Sequence, residues 1–143
     1  MIALVVLAVV LRLGLGAVFL RAGAHKLGRV RSVRSIVTRY RIVPPAAAAW
    51  VARGLGPAEL LAGASLWLSL VCPFHAFAWG LASGLMLVFV TVVALALARG
   101  IRIPCGCGLW VGSHVVTGRT LARNVVLLFL LLLDRWLTTR VCI

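Results

Sequence analysis

The chain has 143 residues, 64% of them hydrophobic, and a mean hydropathy of +1.16. Soluble domains are typically about half apolar, so this composition excludes a water-soluble globule and leaves no length for a separate aqueous domain. A formal charge of +13 would suggest nucleic acid in a soluble protein. Here the basic residues cluster beside the ends of apolar runs, where they set topology and meet anionic headgroups, so no nucleic-acid partner is expected.

Four runs have the length and apolarity of bilayer spans: Ile2–Leu20, Ala46–Val71, Phe74–Ala98 and Leu121–Leu137. Helices satisfy their own backbone groups in lipid, so the prediction is an all-α integral membrane bundle of four transmembrane helices. It forms one domain over residues 1–143, with a short amphipathic segment after the first span. Ala22-Gly23-Ala24 resembles a signal-peptide cleavage site. No basic segment precedes the run, however, and Arg12 interrupts its middle, so a retained first helix is expected.

In the first connection Val30, Val33, Val37 and Tyr40 recur every three to four residues, with Arg31, Arg34, Thr38 and Arg41 off that stripe. The pattern suits a short helix lying in the headgroup plane, the alternative being a basic loop without fixed structure. Pro44 and Pro45 end it. Arg12 stands near the middle of the first span and Glu59 near the middle of the second. An unpaired charge at that depth costs about 2.5–3.5 kcal/mol on insertion scales, so Arg12 and Glu59 are expected to pair. Such a pair is either a structural clamp or a proton or quinone site. Arg12, Gly16, Phe19 and Gly23 share one helical face, and Gly56, Glu59, Gly63 and Leu66 share another; their glycines would let the two backbones approach closely. Pro57 has no N–H for the carbonyl of Arg53, which loosens the turn before Glu59.

Only Cys72 and Pro73 join the second and third runs, with His75 just beyond. Gly80 and Gly84 give the third span a small-residue seam of its own. Asp134, beside Arg135 toward the end of the fourth span, reads as an interfacial residue, and polar roles at the rims are the expectation for His25 and His75. Of the 15 basic residues, only Arg135 and Arg140 fall on the face shared by the termini and the second turn. The others, Arg12 apart, flank the first and third connections. The positive-inside rule then predicts a multi-pass protein of the cell (inner) membrane with both termini extracytoplasmic. Cys105 and Cys107 would meet the cytoplasmic rim, and Cys72 and Cys142 the outer one.

Cys105-Gly106-Cys107 lies in the third connection. A disulfide needs Cα atoms about 4.4–6.8 Å apart, which residues two apart reach if the chain bends at Gly106. So small a ring is strained, and strained disulfides are labile and oxidising. Arg99 and Arg102 just upstream favour the nucleophilic thiolate. Two alternatives stand beside redox chemistry: a soft-metal site for Cu(I) or zinc built from Cys105, Cys107 and His114, or inert small residues in a glycine-rich turn. Cys72 and Cys142 form a possible second thiol pair, structural or redox. Direct exchange between the two pairs is blocked if a ~30 Å hydrocarbon core separates them.

These pieces in this order resemble the MauE branch of the DoxX-like membrane proteins, over nearly the full length. The residues that carry the likeness are Arg12-Leu13-Gly14-Leu15-Gly16 with Phe19, Ala22-Gly23-Ala24-His25-Lys26-Leu27, Tyr40 and Pro44. They continue with Pro57-Ala58-Glu59-Leu60, Arg99-Gly100, Cys105-Gly106-Cys107 and Arg123-Asn124. The resemblance implies a four-helix redox-associated membrane protein that works with a thioredoxin-like partner in disulfide formation or in the maturation of exported proteins. More distant relatives imply quinone as an electron acceptor. By position, Cys105 and Cys107 match the family's paired cysteines, and Arg12 and Glu59 its intramembrane charges. Gly108-Leu109 departs from the Phe-Gly that commonly follows the second cysteine.

The leading expectation is therefore a membrane thiol–disulfide oxidoreductase or electron-transfer component, exchanging Cys105 and Cys107 with a thioredoxin-like protein and linked to quinone. The alternatives are a non-catalytic subunit that anchors or assembles a larger membrane complex, and a copper- or zinc-handling protein.

Overall fold

The computed structural model describes residues 2–69, 75–101 and 116–141, and it is all-α. There are four long helices, α1 (Ile2–Leu27), α3 (Pro45–Leu68), α4 (His75–Ala98) and α5 (Gly118–Val141), and a short one, α2 (Val30–Arg39), between α1 and α3. Their positions match the four apolar runs and the amphipathic stripe read from the sequence. Two of them, α1 and α4, are long and apolar enough to cross a bilayer. α1 packs against α3 and α5, and α4 against the same two, so α1 and α4 stand diagonally across the bundle.

The distribution of polarity is that of a protein solvated by lipid. Leu61, Phe77 and Phe129 point outward, each more than 60% exposed. Arg12, Lys26, Glu59 and Asp134 are buried. A core of Leu15, Phe19, Leu66, Met86 and Leu131, with Ala62, Ala78 and Ala82, fills the space between the helices.

The α1–α3 interface is the most extensive in the bundle, and glycine makes it possible. Lipid tails are as apolar as leucine, so helices in a bilayer gain from close packing rather than from hydrophobic exclusion. A Cβ on Gly23 would lie 2.8 Å from the Gly56 carbonyl oxygen, and one on Gly63 would lie 2.8 Å from that of Gly16. A Cβ on Gly16 would collide with the Trp67 indole, whose Nε1 donates to the Leu13 carbonyl at 3.1 Å. The expected glycine seam is thus present. Gly80 and Gly84 behave differently: each has open space over it, and α4 buries Ala78, Ala82 and Ser83 instead.

α3 runs unbroken through Pro57. α2 turns its stripe inward: Val33 is buried, and Tyr40 with Ile36 packs against Val93, Ala96 and Val116 at one end of the bundle. Arg41 then takes a left-handed conformation, φ 51°, as the chain swings toward Pro44 and Pro45.

Candidate functional site

Gly16 faces Gly63 and Gly23 faces Gly56, so this antiparallel register sets Arg12 level with Trp67 and Glu59 level with Leu20. Arg12 and Glu59 are therefore separated by about eight residues along the axis, roughly 12 Å at the helical rise. The pairing of Arg12 with Glu59 expected from their similar depth is corrected here. Each charge finds a different partner, and the described residues form two buried polar clusters, one toward each end of the bundle.

In the first cluster Arg12 is clamped on three sides. Its Nε donates to Asp134 Oδ1 at 3.1 Å, its Nη1 to the Ser69 carbonyl at 2.7 Å, and its Nη2 to the Thr138 hydroxyl. The His75 Nε2 lies 2.9 Å from Asp134 Oδ2 and 3.2 Å from Thr138 Oγ1. An imidazole nitrogen against a carboxylate carries the proton, so Nε2–H is the donor. The Thr138 hydroxyl also donates to the Asp134 carbonyl at 2.7 Å. α1, α4 and α5 and the C-terminal residue beyond α3 are thereby tied at one level. Asp134 and His75, expected in polar roles toward the rims, are buried between the helices, 0% and 2% exposed. Asp134 is buried because Leu127, Leu131, Asp134 and Thr138 recur at helical spacing and form the inner face of α5. Trp79 reinforces the same end, donating from Nε1 to the Leu131 carbonyl at 2.9 Å.

The second cluster is built around Lys26, counted from the sequence among the charges of the first connection. Its position continues the α1 stripe of Arg12, Gly16, Phe19 and Gly23, and it is 5% exposed. Side chains on a helix lean toward its N-terminus, which carries the ammonium back along α1 to the Glu59 carboxylate, with which it forms a buried ion pair. The Nζ also stands 4.8 Å from the centre of the Phe89 ring, a cation–π contact. Beside the pair is a cavity of about 30 Å³ lined by all four long helices, with Lys26, Glu59, Arg123 and Asn124 as its polar groups.

Neither Lys26, Arg123 and Asn124 nor the Asp134–His75–Thr138 set was marked as a site from the sequence. The available signal was the continuation of known stripes: Lys26 lies three residues beyond Gly23, and Thr138 four beyond Asp134. Cys72, Cys105, Cys107, His114 and Cys142 lie outside the described residues. Residues 102–115 link the C-terminal end of α4 to the N-terminal end of α5, the end nearest the Lys26–Glu59 cluster. Cys72 lies between Ser69 and His75, two members of the Arg12–Asp134 cluster.

Residues 4–137 match the family model of the methylamine utilisation protein MauE. No curated protein and no solved structure is significantly similar to the chain. The chain belongs to the MauE family.

Proposed function

We propose that this MauE-family membrane protein is an accessory component of a redox system, and that its working groups are Cys105 and Cys107. The two thiols cycle between dithiol and disulfide, exchanging with a thioredoxin-like protein. Each oxidation passes two electrons to an acceptor of the quinone class and releases two protons. The four long helices each cross the membrane, with both termini on the extracytoplasmic side, as the distribution of basic residues suggests.

The observation that carries this reading is the Cys105-Gly106-Cys107 triplet in a connection between two helices of a MauE-family bundle. The buried clusters hold the helices on either side of that connection in one bundle. Arg12, Asp134 and Thr138 tie the helices at one end, and Lys26 and Glu59 tie α1 to α3 toward the other. The test is replacement of either cysteine by Ser, followed by trapping of the mixed disulfide with a thioredoxin-like protein. Exchange is lost in both variants while the bundle still inserts; exchange at the wild-type rate refutes the proposal.

One observation favours a second reading, a non-catalytic anchoring subunit. Gly80 and Gly84 lie on the outer face of α4 with nothing over them, and small residues four apart are the pattern on which membrane helices pack closely. A stable complex that survives loss of both thiols supports this alternative.

A further inference from the structure

Three of the residues lining the cavity beside Lys26 carry a buried polar atom with no hydrogen-bond partner among the described residues: Glu59 Oε2, Arg123 Nε and Asn124 Nδ2. Glu59 is 1% exposed and Asn124 4% exposed. An unpaired buried polar group is costly, and more so when it is charged. Three around one small space define a site that something fills.

Size and chemistry together select the occupant. The cavity, about 30 Å³, clears the roughly 10–15 Å³ that a water needs and falls far below the roughly 150 Å³ that admits a benzene ring. Arg123 Nε and Asn124 Nδ2 can only donate, and the Glu59 carboxylate oxygen can only accept. A chloride ion would satisfy the donors and be repelled by Glu59. A metal cation would satisfy Glu59 and be repelled by Lys26 and Arg123. Only a molecule that both accepts and donates through one small atom meets all three.

We propose that this cavity binds a single water molecule, which accepts from Arg123 and Asn124 and donates to Glu59. The water closes a hydrogen-bonded chain from Lys26 on α1 through Glu59 on α3 to Arg123 and Asn124 on α5. The proposal stands independently of the thiol chemistry.

The sequence makes the test unusually clean. Asn124 is the sole asparagine, there is no glutamine, and Glu59 is the sole glutamate, so residue-type labelling gives one side-chain amide signal and one glutamate carboxylate signal. The experiment is water-edited solid-state NMR on the full-length protein in phosphatidylcholine–phosphatidylglycerol vesicles. Both the Asn124 side-chain amide and the Glu59 carboxylate are expected to show a water contact. In Asn124→Leu the Glu59 contact is weakened or lost. Absence of water contact at both groups in the wild type overturns the proposal. So does a correlation of the Asn124 amide with a protein carbonyl in place of water, a result that needs no variant to fold.

Discussion

Arg12 and Asp134, 122 residues apart in the chain, meet at 3.1 Å with both side chains almost fully buried. This contact joins the first and last helices, and the position of each charge along its helix is set by the helices' packing rather than by its depth alone. Removing one partner leaves the other charged in a region of low dielectric, which typically costs about 3–5 kcal/mol. Removing both replaces the pair with apolar packing, and such exchanges are often near neutral. Arg12→Met and Asp134→Leu are each expected to destabilise the bundle by that amount in a reversible unfolding assay. The double variant is expected to lose much less than the sum, and a double-mutant cycle reads the difference directly.

The glycine seam predicts a contrast between positions of the same residue type. Gly23→Ala and Gly63→Ala each place a Cβ 2.8 Å from a facing carbonyl oxygen, and forcing backbones apart in a packed interface typically costs about 1–3 kcal/mol. Gly84→Ala meets nothing within 4 Å. Alanine is better than glycine inside a helix by about 0.5–1 kcal/mol, so that variant is expected to be neutral or slightly stabilised. Thermal midpoints of the three purified variants, measured in one detergent, check the order.

Tyr40 is the sole tyrosine, and burial raises its phenol above its ordinary value of 10.0. An ultraviolet titration of the folded protein is expected to show phenolate forming only above that pH. The unfolded chain loses the same proton first. Between the two values the folded state therefore binds more protons, and stability falls as pH rises. Below the unfolded value Tyr40 contributes no slope. Tyr40→Phe is expected to remove this part of the alkaline loss.

Much of this architecture was legible in the sequence, and the reason is periodicity. Long apolar runs marked the four long helices, and valines three to four residues apart marked α2. Glycines seven apart on α1 and α3 marked their seam. The ion pairs were not legible in the same way. Two charges near the middle of two antiparallel helices suggest a pair, but a shift of two turns separates them, and only the Gly16–Gly63 and Gly23–Gly56 contacts reveal that shift. Arg135 beside Asp134 suggests a solvated interfacial pair, whereas Asp134 is fully buried. Adjacent residues on a helix face about 100° apart, so Asp134 turns inward while Arg135 lies over the Trp79 ring. Lys26 is hidden for a similar reason: it stands among the connection charges, although its spacing continues the buried stripe.

The proposed chemistry is tested most directly by a redox titration of Cys105 and Cys107 in the membrane-embedded protein. The fraction of each thiol alkylated is read by mass spectrometry after equilibration at a series of potentials. The proposal predicts one shared transition for both sulfurs with two-electron steepness, about 30 mV per tenfold change in the ratio, and a disulfide-linked peptide containing both on the oxidised side. Two thiols that stay alkylatable at every potential, or that change separately without forming that bond, would contradict it.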